Sequence, residues 1–456
     1  MNPWKACDIR GVYPREVSPD LLRAVGAGVA SAFPPRSRIL IAGDFRESTP
    51  TLKAALAEGL RSAGAHVVDA GQLPTPVVYF AHTHSKTAAV LTVTASHNPA
   101  GYNGLKLMLD DLPPTPAELA ELHRHVRHGD FRKSSGTMES INPVPAYRNW
   151  IQDRWGQTFA GNQLQVVLDA GSGAWAELAP QIFEALGFRV HRLFCEIDGR
   201  FPHRPPDCAR PVNLAALRGQ VKNTRADLGI AWDGDGDRVA FVDETGSVVP
   251  SDAISVLLAR HLLQQEAGAK VVYDIKMSDI VRQAVLACGG TPLLERSGHT
   301  FLKRRMITDH CLLGCEVSGH YFFRELRGGD DGLFAALFLA DLAQRSGSLQ
   351  QMRESVPPAF ATPDLRLPSA ALPFGEVAQR LRHAFGAAQE TTIDGLRLEM
   401  PEGSVLARES VTEPVVTMRI EGASGENLQR LVERCLAAFP EVAAKITEQI
   451  HQAKGL

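Results

Sequence analysis

The stretch RILIAGDFRESTPTLKAALAEGLRSAGAHVVDAG, residues 38–71, decides the fold. It opens with an apolar run that ends in Asp44, as a buried strand does. A helical pattern follows and ends in Gly64, the residue type preferred just past a helix C-terminus. A second short strand, HVVDAG, completes the unit. This order predicts a strand–helix–strand unit of a largely parallel α/β sheet.

The same plan occurs twice more along the chain. Apolar runs ending in aspartate recur at LQVVLD (164–169) and KVVYD (270–274), each followed by a helical pattern that ends in glycine. A third strand closes each segment and carries polar residues at its end. These third strands are AVLTVTASHNP (89–99), LGIAWDGDGDR (228–238) and CLLGCEVSGH (311–320). We therefore expect three topologically similar α/β domains with mixed, largely parallel sheets.

The C-terminal part of the chain follows a different pattern. SVLARES and PVVTMRIEG alternate like antiparallel strands, and ENLQRLVERCLAAF has the spacing of an amphipathic helix. These segments predict a C-terminal α+β domain, joined through the proline-rich stretch SVPPAFATPDLRLPSAALP. The predicted domains are residues 1–141, 142–247, 248–357 and 358–456. Because ligands of open α/β sheets gather at the carboxyl ends of strands, we expect all four domains to surround one central cleft.

Composition narrows the class of protein. The chain has 456 residues, 44% hydrophobic and 22% charged, with a net charge of −3. Buried cores are therefore expected, and the absence of a basic block disfavours nucleic acid as a partner. The longest apolar run, GLFAALFLADLA, contains Asp341 and is too short to span a bilayer, so no membrane is expected either. Seven scattered cysteines and no signal-peptide pattern favour a cytoplasmic protein, expected to be a monomer with a dimer as the alternative.

The strongest chemical signal is DGDGDR, residues 233–238. Asp233, Asp235 and Asp237 alternate with glycines, which let the chain bend so that the carboxylates converge. Unpaired, these groups would repel one another, and a divalent cation relieves that repulsion. All-oxygen ligands suit Mg²⁺, Mn²⁺ or Ca²⁺ rather than zinc. The alternatives are an exposed acidic turn and a calcium EF-hand loop ending at Glu244, although Arg238 stands where that loop needs glycine.

Ser96 and His97 lie side by side in TASHNP. Neighbours in a strand face opposite sides, so His97 is not expected to be the base of Ser96. A metal held by the three aspartates would have open coordination positions, one of which a serine oxygen or its phosphate could fill. Ser96 is therefore a candidate phosphate carrier.

Two further motifs offer groups that suit a sugar phosphate. Glu316 and Ser318 in GCEVSGH are two residues apart and can hold vicinal hydroxyls, although a capped turn fits the same letters. RESVTEP, residues 408–414, offers an arginine with nearby hydroxyls, as phosphate requires, with a solvated hairpin turn as the alternative. Other candidates for the site are His299 and Lys303 in RSGHTFLK, and Arg10, Lys106 and Lys276.

Together and in this order, these motifs resemble those of the α-D-phosphohexomutase superfamily, most of all bacterial phosphomannomutase/phosphoglucomutase. TASHNP is similar to the phosphoserine loop of that superfamily, DGDGDR to its metal loop, GCEVSGH to its sugar loop and RESVTEP to its phosphate-binding loop. The flanking DIRG and YNGLK match as well. The resemblance covers nearly the whole chain and implies three similar α/β domains plus an α+β domain. It also implies an enzyme that interconverts hexose 1-phosphate and hexose 6-phosphate, with glucose or mannose as the hexose.

The resemblance further implies a route and a set of site residues. Ser96 would be a phosphoserine that hands its phosphoryl group to the sugar phosphate, giving a hexose 1,6-bisphosphate, and then receives the other phosphate back. One Mg²⁺ per chain would be held by Ser96, Asp233, Asp235 and Asp237, with glucose 1,6-bisphosphate as activator. The residues implied near the transferred group are Arg10, His97, Lys106, Arg238 and His320, with Lys106 favoured as general acid/base and His299 and His320 as candidates. The residues implied to bind substrate are Lys276, Gly298, His299, Glu316, Ser318, His320, Arg408, Ser410 and Thr412.

Two positions depart from the family pattern. Cys7 stands before DIRG where tyrosine is common, and Val411 replaces an asparagine of the phosphate-binding loop, next to Ser410 and close to the acidic Glu409. We therefore expect two phosphate contacts to be missing.

Several rival functions fit parts of the sequence. Phosphoglucosamine mutase is the nearest, although TASHNP with a valine before SGH favours neutral hexose phosphates. A metal-dependent sugar phosphatase and a non-catalytic calcium-binding protein are alternatives from other classes. A serine hydrolase is disfavoured because no GxSxG elbow surrounds Ser96.

Overall fold

The structure, a computed structural model, describes residues 2–370, 372–386, 388–410 and 415–454. Its strands form four sheets, taken in order along the chain. Of the helices in these ranges, none combines the length and the apolar character that crossing a bilayer requires.

The first sheet contains six strands around a central parallel pair. The strands are β1 Ile9–Val12, β2 Arg38–Gly43, β3 His66–Gln72, β4 Ala89–Val93, β5 Tyr102–Leu109 and β6 Thr137–Ser140. Their order across the sheet is β1-β5-β4-β2-β3-β6. β2 pairs in parallel with β3 and β4, whereas β5 runs antiparallel to β1 and β4. The helices are α1 Pro19–Ala32, α2 Thr49–Ser62, α3 Thr75–Ser85 and α4 Pro116–His128.

The second and third sheets have five strands each. The second consists of β7 Gln165–Asp169, β8 Arg189–Leu193, β9 Leu228–Trp232, β10 Val239–Asp243 and β11 Val248–Val249, with α5 Val144–Trp155, α6 Leu178–Ala185, α7 Ala215–Thr224 and the 3₁₀ helix Pro211–Leu214. The third consists of β12 Lys270–Asp274, β13 Thr291–Glu295, β14 Leu313–Cys315, β15 Tyr321–Phe323 and β16 Gly329–Asp330. Its helices are α8 Ser251–Gln265, α9 Asp279–Ala287, α10 His299–Thr308, α11 Gly332–Ser346, α12 Leu349–Glu354 and the 3₁₀ helix Arg324–Leu326.

The predicted repeat is confirmed by the pairing of these strands. β7 and β12 repeat the role of β2, because each runs parallel to both of its neighbours. The next strand along the sheet, β10 or β15, runs antiparallel in both cases, as β5 does. The glycine after the first helix of each unit has a positive φ, 87° at Gly64, 88° at Gly187 and 73° at Gly289. This left-handed conformation, which favours glycine, lets the chain leave the helix of each unit and enter the next strand.

The fourth sheet is entirely antiparallel. Its strands are β17 Phe360–Ala361, β18 Leu365–Pro368, β19 Gln389–Thr391, β20 Leu396–Met400, β21 Gly403–Glu409 and β22 Val415–Gly422. Its helices are α13 Phe374–Phe385, α14 Gly425–Ala438, the 3₁₀ helix Pro440–Val442 and α15 Ala443–Lys454. Treating the whole proline-rich stretch as a join was wrong, because β17 and β18 both pair with β22. Pro368 is tolerated there because β18 pairs on one side only. The four domain boundaries stay predictions.

The core ties the first three sheets together. One cluster of buried side chains runs from Leu40 in β2 through Val166 in β7 to Val271 in β12. The apolar run GLFAALFLADLA belongs to α11, which is buried along most of its length within this cluster. The fourth sheet has a separate cluster around Leu396. The polar loops of the first three domains are therefore held by one continuous core, and the fourth domain has a hydrophobic core of its own.

Candidate active site

The strand-ending aspartate of the first repeat, Asp44, organises the loop TASHNP around Ser96, which we call the serine loop. The Asp44 carboxylate is buried and accepts hydrogen bonds from the Thr49 and Thr94 hydroxyls, both at 2.7 Å. It also accepts one from Nε of Arg46 at 3.0 Å. The rest of the Arg46 guanidinium donates to four carbonyl oxygens of the loop, those of Ser96 (2.7 Å), Asn98 (2.6 Å), Pro99 (2.7 Å) and Tyr102 (3.2 Å). A single buried arginine thus shapes the loop around Ser96.

The strand-ending aspartates of the other two repeats also accept hydrogen bonds that hold a polar loop in place. Asp169 accepts from Nε of Arg204 at 2.9 Å, and this arginine donates to the carbonyl of Trp232 at 2.8 Å, directly before DGDGDR. In the third domain, Asp274 accepts from the backbone N–H of Lys276 (2.5 Å) and of Val317 (3.3 Å). Each strand-ending aspartate therefore anchors a polar loop of its own domain.

Ser96 points across a domain boundary to the metal loop. Its hydroxyl donates to Oδ2 of Asp233 at 2.7 Å, and the serine is 1% exposed. The expectation that Ser96 and His97 face opposite sides was wrong, because Ser96 Oγ lies 3.3 Å from Nδ1 of His97. Ser96 has a φ of 50°, so the chain turns there and brings the neighbouring side chains to the same side. Burial, and then the charges of Arg238 and Arg10, hold the pKa of His97 well below its usual value.

The three aspartates of DGDGDR converge as predicted. Asp233, Asp235 and Asp237 are at most 1% exposed, and one oxygen from each lies within 4.8 Å of the others. Oδ1 of Asp235 and Oδ1 of Asp237 are buried and have no hydrogen-bond partner among the described residues. Buried carboxylate oxygens without a partner are costly, and a bound cation would pair with them. The residues present therefore fit a divalent cation with oxygen ligands.

Lys106 supplies positive charge to the same carboxylates. Its ammonium group donates to Asp235 at 2.7 Å and also to Asp237, and it is 3% exposed. Burial alone would lower the pKa of Lys106, but the two carboxylates outweigh it and the pKa is raised well above the usual value. Burial, followed by the charges of Asp235 and Asp237, raises the pKa of Asp233 to about 7.

Residues from other elements hold the metal loop in shape. Gly236 has a φ of 83°, and its carbonyl accepts a hydrogen bond from Nε1 of Trp175 at 2.8 Å. A Cβ at Gly236 would lie 2.3 Å from the Trp175 ring, so only glycine fits. The first domain contributes Thr75, whose hydroxyl donates to Asp235 at 2.7 Å. The EF-hand alternative fails here, because Glu244 accepts from the backbone of Gln350 at 3.0 Å, at the start of α12.

A chain of polar groups connects the metal loop to the third domain. Arg238 donates from Nε to Nε2 of His320 at 2.9 Å. Nδ1 of His320 lies 2.9 Å from Oδ2 of Asp330, and Nζ of Lys303 lies 3.4 Å from Oδ1 of the same residue. Because Nε2 accepts from Arg238, the ring proton of His320 is on Nδ1 and faces Asp330. Burial lowers the pKa of Lys303 to about 8. The His299 ring stacks on His320 with 5.5 Å between centroids.

The sugar-loop residues present unpaired polar atoms. Glu316 is 5% exposed. Its Oε2 atom and the hydroxyl of Ser318 are both buried without a hydrogen-bond partner among the described residues. Such groups are suited to the hydroxyls of a ligand, because leaving them unpaired costs free energy.

The fourth domain reaches the site through Asp394. This carboxylate lies 3.0 Å from Nη2 of Arg408 and accepts from the backbone N–H of Ser297 at 3.1 Å, directly before Gly298. Arg408 is thereby held close to the third domain, and the backbone N–H of Ser410 donates to the carbonyl of Val415 at 2.9 Å. Thr412 and Val411 lie outside the described residues. Lys276 is half-buried near Asp274 and makes no described hydrogen bond to the other site residues.

Arg10 and Cys7 lie at the edge of the serine loop. Arg10 donates to Oδ1 of Asn98 at 3.0 Å and to Asp8 at 2.5 Å. Burial raises the pKa of the Cys7 thiol to about 12, so this side chain is a neutral group. Its sulfur would lie 3.6 Å from a Cβ at Gly298, where φ is 132°. Cys7 therefore packs against the third domain.

Four functional residues escaped the sequence reasoning: Arg46, Trp175, Asp330 and Tyr79. The acidic pair in GGDDG was a signal for Asp330 that was not used. Trp175 and Tyr79 carry no local signal, because their partners are distant in the chain, and Arg46 has only Asp44 as a partner nearby. Arg46 reaches backbone more than fifty residues away, and Tyr79 lies beneath Lys303, with Nζ 3.0 Å from its ring centroid.

A buried serine faces three convergent carboxylates, with cationic side chains and unpaired polar atoms of the sugar loop nearby, and this arrangement suits a phosphoryl-transfer enzyme. Family models for phosphoglucomutase/phosphomannomutase match the chain in order: alpha/beta/alpha domain I at residues 3–133, domain II at 147–246, domain III at 250–360 and the C-terminal domain at 370–438. The chain belongs to the phosphoglucomutase/phosphomannomutase family and is a phosphohexomutase.

Proteins of this family are similar to the chain over nearly its full length. The chain is 35% identical over 436 residues to phosphomannomutase/phosphoglucomutase of Pseudomonas putida, covering 94% of this chain and 93% of the relative. It is 32% identical over 449 residues to phosphoglucomutase of Neisseria gonorrhoeae, covering 96% of each. A solved family protein from Burkholderia thailandensis superimposes with a TM-score of 0.86 at 34% identity, covering 98% of both chains.

Proposed function

We propose that this phosphohexomutase transfers phosphoryl groups through Ser96, by way of a hexose 1,6-bisphosphate, with Mg²⁺ held by Asp233, Asp235 and Asp237. The observation that carries the proposal is the 2.7 Å hydrogen bond from Ser96 to Asp233, beside Asp235 and Asp237, whose Oδ1 atoms lack partners among the described residues. This arrangement puts the serine oxygen at the edge of the carboxylate cluster. When bound, Mg²⁺ supplies charge neutralisation to the transferring group.

The protein's own residues account for the rest of the transfer. As the phosphoserine P–O bond breaks and a P–O bond to the sugar hydroxyl forms, the serine oxygen gains negative charge and then a proton. Lys106 is the proposed proton donor, since it stays protonated while it faces Asp235 and Asp237. The sugar hydroxyl must lose its proton, and Nε2 of His320, whose Nδ1 lies beside Asp330, is the proposed acceptor once Arg238 has turned from Nε2 to the transferred phosphate. Arg10, His97 and Arg238 are proposed to surround the transferred phosphate.

Substrate binding is proposed to use the third and fourth domains. Glu316 and Ser318 are suited to two sugar hydroxyls, because their buried oxygens lack partners among the described residues. Arg408, Ser410, Thr412 and Lys276 are proposed to bind the non-reacting phosphate, with Gly298 and His299 lining the same wall. In this arrangement the substrate phosphate must compete with Asp394 for Arg408. Release of that ion pair is therefore part of substrate binding.

Rates on three sugar phosphates decide the substrate. We expect glucose 1-phosphate and mannose 1-phosphate to be isomerised faster than glucosamine 1-phosphate, with stimulation by glucose 1,6-bisphosphate. A dominant glucosamine rate would assign phosphoglucosamine mutase instead. Release of inorganic phosphate in proportion to substrate lost would assign a phosphatase. The monomeric state and the cytoplasmic location stay predictions, and light scattering tests the former.

A further inference from the structure

A second cavity lies between the first three domains, next to the active site. It has a volume of about 390 Å³ and is walled by α3, by α5 and by the segment from Glu325 to Asp331. Small-molecule sites range over roughly 300–1,000 Å³ and favour domain interfaces. We name this cavity the junction pocket, and Tyr79, Phe80, Tyr147, Trp150, Lys86 and Arg327 are among its lining residues.

The wall of the junction pocket is aromatic. Phe80 meets Tyr147 edge to face at 5.3 Å between centroids, and Trp150 lies 5.7 Å from Phe80 and 5.9 Å from Tyr147. Tyr147 is fully buried, so the half-buried rings of Phe80 and Trp150 are the ones that can meet a planar ring of a ligand. The shape and chemistry of the wall therefore favour a planar aromatic group.

The charges around the pocket favour an anion. Its three acidic residues are already engaged: Glu325 with Arg154 at 2.6 Å, Asp331 with the Tyr147 hydroxyl at 2.7 Å, and Asp330 with His320 at 2.9 Å. Lys86 and Arg327 are exposed, and neither side chain makes a hydrogen bond or ion pair within the described ranges. Asp330 also faces the Lys303 ammonium at 3.4 Å, whereas Asp331 accepts only from a neutral hydroxyl and keeps its charge. The two unpaired cations therefore outnumber the one uncompensated carboxylate, and the excess charge at the pocket is positive.

Two lining residues also touch the active site. Asp330 orients His320 in the metal-loop network, and Tyr79 lies under the Lys303 ammonium. A molecule that contacts Asp330 or Tyr79 changes the surroundings of the catalytic groups. Its binding is coupled to sugar-phosphate binding to the extent that it prefers one arrangement of these side chains.

We propose that the junction pocket is a regulatory site for planar aromatic anions. The ring of the ligand packs on Phe80 and Trp150, and its anionic group pairs with Lys86 and Arg327. Occupation acts on the mutase through Asp330 and Tyr79. The proposal concerns a site separate from that of the sugar phosphate.

The probe is 8-anilinonaphthalene-1-sulfonate, a fluorescent anion with a planar naphthalene ring, titrated into the full-length native enzyme. We expect one saturable site per chain and a change in mutase kcat or KM when it fills. Arg327→Gln and Trp150→Leu should each raise the probe Kd by about tenfold, as the loss of one strong contact does. Arg324→Gln is the matched control, because Arg324 is exposed nearby but pairs with Glu266 outside the pocket. The neutral N-phenyl-1-naphthylamine should bind at least about tenfold more weakly than the sulfonate.

Each outcome decides the proposal. Because coupling is reciprocal and finite, added glucose 1-phosphate should shift the probe Kd to a plateau. A shift that rises without limit would mean that the sulfonate occupies the phosphate site and would overturn the proposal. Binding of the probe that does not saturate would also overturn the proposal. So would equal probe Kd values in the native enzyme and in the Arg327→Gln and Trp150→Leu variants, once thermal melting has shown that both variants are folded. Saturable binding that leaves the mutase kinetics unchanged would overturn the regulatory role.

Discussion

Replacing Arg46 by methionine tests whether one buried arginine holds the serine loop in its reactive shape. The side chain is fully buried, pairs with Asp44, and donates to the carbonyls of Ser96, Asn98, Pro99 and Tyr102. Methionine fills a similar volume without donating any of these hydrogen bonds. Asp44 keeps the hydroxyls of Thr49 and Thr94, so the strand end should retain its local order.

The magnitude follows from the bonds that are lost. Four carbonyl hydrogen bonds at about 1 kcal/mol each contribute roughly 4 kcal/mol to the shape of the loop. Against them stands the left-handed conformation of Ser96, which costs about 1–3 kcal/mol in a residue other than glycine. Without Arg46 the loop relaxes away from Asp233. With the strain no longer offset, and at about 1.4 kcal/mol per factor of ten, the fraction of enzyme with Ser96 in place falls roughly 5- to 150-fold.

The assay is steady-state conversion of glucose 1-phosphate to glucose 6-phosphate, coupled to a dehydrogenase. We expect kcat to fall by about 5- to 150-fold in Arg46→Met, with a smaller loss in Arg46→Lys, which keeps the charge. Arg132→Met is the matched control, since Arg132 donates to the carbonyls of Ala30, Phe33 and Ala63 in the same domain, away from the serine loop. It should lower the melting temperature and leave kcat within about twofold. Equal losses of kcat in both methionine variants would refute the reasoning, as would a kcat in Arg46→Met close to the native value.

Three other changes give distinct outcomes. Asp235→Asn should weaken Mg²⁺ binding by at least about tenfold in calorimetry, because it removes one of the three proposed anionic ligands. Asp341→Asn, at a buried position in α11, is the control and should leave the affinity unchanged. Equal affinities in the two variants would count against the metal site. Gly236→Ala should destabilise the metal loop by about 1–3 kcal/mol and lower kcat, since φ is 83° and the new Cβ meets Trp175; a variant with native kcat and native melting temperature would contradict this. Burial raises the pKa of Asp331 to about 6 from 3.8, so the folded protein binds more protons than the unfolded chain between about pH 4 and 6, and stability falls as pH rises through that window. Asp331→Asn keeps an acceptor for the start of α11 and does not titrate. The melting temperature of this variant minus that of the native protein should therefore rise between about pH 4 and 7 and stay constant at higher pH. A difference that does not depend on pH would exclude this titration.

The sequence predicted the repeat because each unit carries local signals. Strands that end in aspartate and helices that end before Gly64, Gly187 and Gly289 depend on short-range preferences for burial and backbone conformation. The convergence of the DGDGDR carboxylates was predictable for the same reason, since the alternation with glycine is local. The two strands β17 and β18 were missed because their prolines resemble a linker, and only their pairing with β22 reveals them.

The site itself depends on contacts between distant segments. The geometry of Ser96 and His97 follows from a positive φ at Ser96, which serine rarely adopts and which Arg46 maintains from far along the chain. Tyr79 gains its role only when the third domain packs on the first, and Asp330 gains its role only when His320, its neighbour in the third domain, meets Arg238 of the second. Residue type and spacing therefore indicated the chemistry of the site, while its positioning groups required the folded structure.

Phosphate transfer to Ser96 is the central claim, and intact-mass analysis with peptide mapping tests it most directly. After incubation with glucose 1,6-bisphosphate and Mg²⁺, the native enzyme should gain the mass of one phosphoryl group on the peptide that contains Ser96. That mass should be lost when glucose 6-phosphate is added, and Ser96→Ala should remain unmodified, folded and nearly inactive. An active Ser96→Ala enzyme, or a native enzyme that turns over without phosphate on Ser96, would contradict the account.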